Sequence, residues 1–162
     1  MFSHEITTKA HEILRTLRER GYKLVSAESC TGGLLSAAIT EIPNSSEVFE
    51  RGYVTYSNES KIELLTVPTF FIEDFGAVSH QTAVAMAEGA LLMSRADISI
   101  SITGVAGPDG GTDKSPVGTV YIATAYTGHD SMCEMHSFTG SRHAIRENSI
   151  IAAFEMILKR VE

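Results

Sequence analysis

Hydrophobic residues recur with the period of a helix in several segments of the chain. Over residues 3–20 they are three or four positions apart, which predicts an amphipathic helix that stops at Gly21. Its apolar stripe consists of Ile6, Ala10, Ile13, Leu14 and Leu17. A similar stripe predicts a last helix that begins near Ser141 and turns one apolar face to the core. Three more helices are predicted over residues 31–40, 58–65 and 79–95.

Short apolar runs, several of them rich in β-branched residues, predict strands between these helices. They cover residues 23–27, 48–56, 98–103, 118–126 and 132–138. Helices alternate with the early strands, whereas the last two strands follow each other as in a hairpin. This order predicts the α/β class, as a three-layer α/β/α sandwich with a mixed, roughly five-stranded sheet. Because no repeat or linker interrupts the pattern, we expect a single domain over residues 1–162.

The charge and hydropathy of the chain narrow its classes of partner. The 162 residues include 13 Lys and Arg against 20 Asp and Glu, which gives a net charge of −7. An acidic surface repels phosphate backbones, so we expect no nucleic acid partner, although one small anionic substrate is compatible with this charge. The most apolar helical run, residues 83–93, is too short to span a bilayer, and the first residues show no secretory signal. We therefore expect no membrane association.

The number and spacing of the cysteines and histidines argue against a disulfide framework and against a metal site. Cys30 and Cys133 are too few for a disulfide framework, so we expect reduced thiols and a cytoplasmic protein. The six histidines lack the spacing of metal ligands. The glycine patterns of Walker and Rossmann nucleotide sites are also missing. We expect neither a metal nor a cofactor.

The segment at residues 26–40 is the first candidate for chemistry. Ser29 falls on the turn between a predicted strand and a predicted helix, where open α/β sheets place ligands. Gly32 and Gly33 would let a ligand approach the backbone, and free amides there would stabilise a phosphate or an oxyanion. Cys30 is a rival nucleophile beside Ser29. The alternative is that Ser29 or Thr31 simply caps the helix.

A second polar turn follows the strand over residues 48–56. It contains Tyr56, Ser57, Asn58 and, one helical turn later, Lys61. A buried lysine can lose its proton near neutral pH and serve as a base, and serine–lysine pairs are a known variant of triad chemistry. A solvated surface lysine is the alternative reading of Lys61. Ser57, four residues before Lys61, is a further candidate nucleophile.

Two other segments suggest ligand contacts. Residues 103–118 form a long loop rich in Gly and Pro, longer than a hairpin requires, which favours a functional role. Arg142 and Arg146 share one face of the last helix, in its first turns, where the helix dipole disfavours cations. This placement suggests an anionic partner such as a substrate phosphate, with a surface salt bridge as the alternative.

Five motifs together carry a resemblance to a known family. They are AESCTGG at 27–33, ERGYVTYSNESK at 50–61, GAVS at 76–79, ITGVAGPDGGTDKSPVGTVYIA at 102–123 and FTGSRHAIR at 138–146. The chain resembles the CinA C-terminal domain family, and most closely its stand-alone members, which are nicotinamide mononucleotide deamidases. The resemblance implies hydrolysis of the carboxamide of nicotinamide mononucleotide, which yields nicotinate mononucleotide and ammonia. It also implies a three-layer sandwich similar to anticodon-binding domains.

The resemblance further implies roles for individual residues. Ser29 would be the nucleophile, Lys61 the general base, and Tyr56 the group that orients Lys61 or passes a proton. An oxyanion hole would come from the backbone at Cys30, Thr31, Gly32 and Gly33, together with Thr103 and Gly104. Phosphate or ribose would be held by Arg142 or Arg146 with Thr31 and Asn58, under a loop that includes Gly107.

Other functions remain open at this point. A nucleotide-binding or regulatory module without catalysis could use the same glycine-rich turns. An RNA-binding domain is a third reading, which the acidic charge disfavours. The apolar helix over 79–95 leaves a homodimer or a larger homo-oligomer as an open expectation.

Overall fold

The first and last helices are the longest elements of the protein, because each carries an unbroken apolar stripe. We describe the fold from a computed structural model, and the description covers residues 2–162. In chain order the elements are α1 (His4–Arg20), β1 (Leu24–Glu28), α2 (Leu34–Thr40), a short 3-10 helix (Ser45–Glu47), β2 (Phe49–Val54), α3 (Asn58–Leu65), α4 (Thr69–Phe75), α5 (His80–Leu92), β3 (Ile98–Gly104), β4 (Thr119–Tyr126), β5 (His129–Ser137) and α6 (Arg142–Val161).

The five strands form one mixed sheet in the order β2-β1-β3-β4-β5. Strand β1 is parallel to both of its neighbours, whereas β4 is antiparallel to β3 and to β5. The predicted fold class is therefore confirmed. Parallel strands place their carboxyl ends at one edge of a sheet, so Glu28, Val54 and Gly104 end three neighbouring strands at the same edge.

Alternate residues of the central strands face two different helix layers. Helices α1, α2 and α6 cover the face that carries Leu24, Ile98, Ile100 and Ile102. Helix α5 covers the opposite face, where small residues let it approach closely. There Ser99 Oγ donates to Ala87 O at 2.6 Å and Ser101 Oγ donates to Ala83 O at 2.6 Å. These bonds satisfy two serines that the sheet buries completely.

The structure corrects the start of one predicted helix and adds one helix that was not predicted. Helix α2 begins at Leu34 rather than Thr31, because Gly32 and Gly33 have φ values of 57° and 96° that no right-handed helix contains. Helix α4 was not predicted at all. None of its residues is buried, so its sequence shows no stripe of core positions that periodicity could detect. Among residues 2–162, no helix combines the length and the apolar character needed to cross a membrane.

Candidate active site

The site begins where β1 and β2 end. The backbone pairing continues beyond the last strand residues: Ser29 N donates to Ile102 O at 2.9 Å, and Thr55 N donates to Glu28 O at 2.9 Å. These two bonds hold Ser29 between the ends of β3 and β2. The polar turn after β2 is thereby brought beside a serine about thirty residues earlier in the chain.

Lys61 points from α3 towards that serine. Its Nζ donates to Ser29 Oγ at 2.9 Å and to Thr55 O at 2.7 Å, and it lies 3.5 Å from Tyr56 O. The residue is only 1% exposed, so the reading of Lys61 as a solvated surface lysine is wrong. Burial lowers the pKa of the Lys61 ammonium to about 8, and no carboxylate contacts it within residues 2–162. A sizeable neutral fraction is therefore available near neutral pH.

The two rival nucleophiles lack this arrangement. Burial raises the pKa of the Cys30 thiol to about 11, so the sulfur is protonated and a poor nucleophile. Ser57 is the N-cap of α3, and its Oγ accepts a hydrogen bond from Ser60 N at 3.0 Å. Ser29 is thus the hydroxyl that stands next to a base.

A cavity of about 290 Å³ opens in front of the pair. The cavity is lined by most of the site residues predicted from the sequence: Ser29, Cys30, Tyr56, Asn58, Lys61, Thr103, Gly104, Gly107 and Arg142. The loop after β3 and the segment before α5 complete the wall with Ala77, Val78, Val105, Ala106, Asp109 and Gly110. Val105, Ala106, Asp109 and Gly110 belong to the loop over residues 103–118, for which the sequence predicted a functional role. Ala77 and Val78 were given no role, since no chemical pattern distinguishes small apolar residues at a site from those in a core.

Arg142 joins three segments at the mouth of the cavity. Its Nη1 donates to Gly107 O at 2.7 Å, and its Nη2 donates to the Tyr56 hydroxyl at 3.2 Å. The Tyr56 side chain is therefore engaged with Arg142, and it is the Tyr56 carbonyl oxygen that lies near Lys61. Arg142 is exposed to solvent, so it keeps N–H groups for an anion.

Four nominated residues do not line the cavity: Thr31, Gly32, Gly33 and Arg146. Arg146 Nη2 donates instead to Thr31 O at 2.8 Å. The Thr31 hydroxyl is fully buried and donates to the Glu28 carboxylate at 2.7 Å. Thr31 and Arg146 therefore support the turn behind Ser29, and they lie outside the cavity in which they were expected to contact phosphate or ribose.

Fewer donors are free to form the expected oxyanion hole than the sequence implied. Gly33 N is bound by Glu28 Oε2, and Gly32 N donates to Ser29 O at 3.0 Å. The Thr103 hydroxyl donates to Ala77 O at 2.8 Å, which directs its proton away from a developing anion. Within residues 2–162 the amides of Cys30 and Thr31 have no acceptor among the hydrogen bonds of this turn. Cys30 lines the cavity and directly follows Ser29, so its amide is a candidate donor to an oxyanion there.

The neighbourhood of the cavity offers no metal site. No group of three His, Cys, Asp or Glu side chains among residues 2–162 is placed to hold a metal ion. Of the side chains that line the cavity, Lys61 is the one hydrogen-bonded to Ser29, whereas the Tyr56 hydroxyl accepts from Arg142 at the mouth and Asp109 adds a carboxylate to the wall. The arrangement can therefore activate a hydroxyl with an amine base and stabilise one negative charge with a backbone amide.

The known proteins that this chain resembles are CinA-like or competence-damage inducible proteins. A family model described as the CinA C-terminal domain matches residues 6–161. A CinA-like protein of Geotalea uraniireducens is 44% identical over 161 residues, in a match that covers 99% of this chain and 38% of that protein. The chain thus spans about two-fifths of the length of the curated relatives that it matches.

Solved structures match over the whole chain. The competence/damage inducible protein CihA from Agrobacterium tumefaciens superposes with a TM-score of 0.98 at 40% identity, covering 100% of this chain and 99% of that one. The competence damage-inducible protein A from Klebsiella pneumoniae gives a TM-score of 0.92 at 32% identity, with 96% of each chain covered.

Proposed function

The chain belongs to the CinA C-terminal domain family, and from that premise we propose that it hydrolyses the carboxamide of nicotinamide mononucleotide. The products are nicotinate mononucleotide and ammonia, which would return nicotinamide to pyridine nucleotide synthesis. The observation that carries the proposal is the 2.9 Å hydrogen bond between buried Lys61 and Ser29 at the wall of a cavity. A serine hydroxyl next to an amine of lowered pKa is a nucleophile activated by a general base, which is the arrangement used in acyl transfer.

The proposed reaction proceeds in two halves. Neutral Lys61 takes the proton of Ser29 Oγ while the oxygen attacks the carboxamide carbon, and the carbonyl oxygen becomes an anion beside the Cys30 amide. Collapse of this intermediate breaks the C–N bond, and the leaving nitrogen takes the proton from Lys61 and departs as ammonia. A water then loses its proton to Lys61 and attacks the Ser29 ester. The bond from the acyl carbon to Ser29 Oγ then breaks, nicotinate mononucleotide leaves, and Lys61 returns the proton to Ser29 Oγ.

Recognition of the nucleotide is assigned to the mouth of the cavity. Arg142 is the exposed cation there, and its contacts with Gly107 O and the Tyr56 hydroxyl fix the plane of its guanidinium. A guanidinium with free N–H groups suits a phosphate, which can accept two of them at once. Asn58 at the start of α3 and the Gly107 loop line the same cavity and can contact the ribose.

A binding module without catalysis is the competing reading. Such a module would gain nothing from a lysine buried without a carboxylate, because desolvation of an ammonium costs folding free energy. The buried Lys61 next to Ser29 therefore favours catalysis. Binding sites of this kind usually use exposed or paired cations.

The test is ammonia release from nicotinamide mononucleotide by the purified chain in the presence of EDTA. We expect turnover by the wild type and a loss of about 10³-fold or more in Ser29→Ala and Lys61→Met, both still folded by circular dichroism. Ser57→Ala is the matched control, since it removes the hydroxyl that caps α3, which lies outside the cavity lining and does not contact the pair, and it should stay active. Nucleotide binding without turnover in the wild type would support the binding module instead.

A further inference from the structure

Glu28 is a fully buried carboxylate that does not line the cavity. We propose that Glu28 is the positioning residue that shapes the turn carrying Ser29 and the Cys30 amide, an inference that rests on the proposed function. It touches neither substrate nor reacting atoms. Its effect on the reaction would pass through the backbone of residues 29–33.

The carboxylate of Glu28 accepts five hydrogen bonds from the segment that follows it. Oε2 accepts from the Thr31 hydroxyl at 2.7 Å, from Gly33 N at 3.1 Å and from Leu35 N at 3.1 Å. Oε1 accepts from Ser36 N at 2.9 Å and from Ser36 Oγ at 2.6 Å. All of these donors lie three to eight residues after Glu28, so one side chain ties the whole turn and the first turn of α2 to the end of β1.

This arrangement divides the amides of the turn into two groups. The amides of Gly33, Leu35 and Ser36 donate hydrogen bonds to the Glu28 carboxylate, so the start of α2 is not available to a ligand phosphate. The amide of Gly32 is consumed by Ser29 O. Within the part of the chain that the structure describes, the amides of Cys30 and Thr31 donate to no acceptor in this turn, and they directly follow the nucleophile, where an oxyanion would form.

Arg146 holds the same turn from the other side. Its Nη2 donates to Thr31 O at 2.8 Å, and Leu34 N donates to the same oxygen at 3.0 Å. Thr31 is thus held at two points: its hydroxyl donates to the Glu28 carboxylate, and its carbonyl oxygen accepts from the Arg146 guanidinium. With both ends fixed, the amide of Cys30 keeps one direction relative to Ser29 Oγ.

Only a carboxylate fits the set of donors around Glu28. Five donors converge on two oxygens, and an amide would replace one of those oxygens with an NH2 that faces N–H groups. Glu28→Gln therefore keeps the size of the side chain but loosens the turn. A displacement of about 1 Å at a reacting group costs about 10²-fold in rate.

The first test compares the kinetics of Glu28→Gln with those of Glu41→Gln, which removes an exposed carboxylate just after α2. We expect Glu28→Gln to lower kcat about 10²-fold with KM within about threefold and the pH midpoint unchanged, and Glu41→Gln to match the wild type. A shifted pH midpoint would mean that Glu28 acts on Lys61, and a raised KM with normal kcat would mean that it acts on binding. Either result, or a normal kcat, overturns the proposal.

The second test separates this proposal from the choice of substrate. A fluorophosphonate reacts with an activated serine: the Ser29 Oγ–P bond forms, the P–F bond breaks, fluoride leaves, and Lys61 takes the proton. We expect mass spectrometry to show Ser29 labelled about 10²-fold more slowly in Glu28→Gln than in the wild type. If the wild type is labelled but releases no ammonia, the substrate assignment fails while slow labelling of the variant still supports the positioning role. Equal labelling rates overturn that role.

A second variant covers the case in which Glu28→Gln does not fold. Thr31→Val removes one of the five bonds to the carboxylate and keeps the size of the side chain. We expect a loss of about tenfold in both kcat and labelling rate with an unchanged pH midpoint. A folded Thr31→Val that reacts at the wild-type rate contradicts the proposal.

Discussion

At the scale of the residue, the unusual feature is an ammonium that is buried without an acidic partner. Among residues 2–162, the partners of Lys61 Nζ are the hydroxyl of Ser29 and backbone carbonyl groups. Desolvation therefore outweighs the smaller opposing effect of Cys30 and lowers the pKa of the amine to about 8. Only the neutral amine can accept the proton of Ser29, so the base form accumulates as pH rises.

From this we predict the pH dependence of the reaction. The rate constant kcat/KM for ammonia release should rise with pH, pass its midpoint near 8 and level off above it. The measurement is a series of initial rates between about pH 6 and about pH 10. Lys61→Arg is the control, since a guanidinium keeps its proton over this range and should be inactive throughout. A profile that falls through pH 8 would show that the charged lysine is required.

At the scale of the element, the position of α3 decides where Lys61 points. The end of α3 lies against the middle of α5, where Gly89 faces Leu65. A Cβ at Gly89 would stand 1.9 Å from Leu65 O, which is backbone and cannot rotate away. Helix α3 would have to move, and Lys61 with it.

We predict that Gly89→Ala lowers both stability and activity. The overpacking should cost about 1–3 kcal/mol of unfolding free energy, and the shift of α3 should lower kcat by about tenfold or more. Leu92→Ala, one turn further along α5 at an exposed position, is the control and should change stability by less than about 0.5 kcal/mol. Urea denaturation and ammonia release measure the two effects. Wild-type stability in Gly89→Ala would contradict the close approach of the two helices.

Elements with a clear apolar stripe could be predicted from the sequence, and others could not. The predicted helix over 3–20 agrees with α1 at His4–Arg20, since its buried residues are those of the stripe. The predicted start of α2 at Thr31 was wrong because the left-handed Gly32 and Gly33 precede the helix. Amides in the first turn of the helix then donate to Glu28 on the preceding strand rather than to the side chains of Ser29 or Thr31, which the sequence suggested as caps. Such a cap depends on the path of the backbone through two left-handed glycines, and no local pattern reveals it.

At the scale of the whole molecule, the site is assembled from segments far apart in the sequence. The types of residue could be nominated in advance, but the contact between Ser29 and Lys61 depends on the parallel pairing of β1 and β2. The same limit applied to the two arginines of α6. Arg142 and Arg146 are one turn apart on one face, and only the tertiary fold shows that Arg142 meets the cavity while Arg146 supports Thr31.

The net charge of the whole molecule predicts that the chain binds a single nucleotide but not a nucleic acid polymer. With a net charge of −7 and one exposed arginine at the mouth of the cavity, the chain can attract a single phosphate but has little to offer a phosphate backbone. Ser29→Ala should therefore bind nicotinamide mononucleotide, and a single-stranded RNA of about 20 nucleotides should not compete even at low salt, where backbone binding is strongest. Isothermal titration with and without the RNA measures this. Competition that weakens as salt rises would show that the RNA-binding reading is correct and that the mononucleotide occupies part of a longer groove.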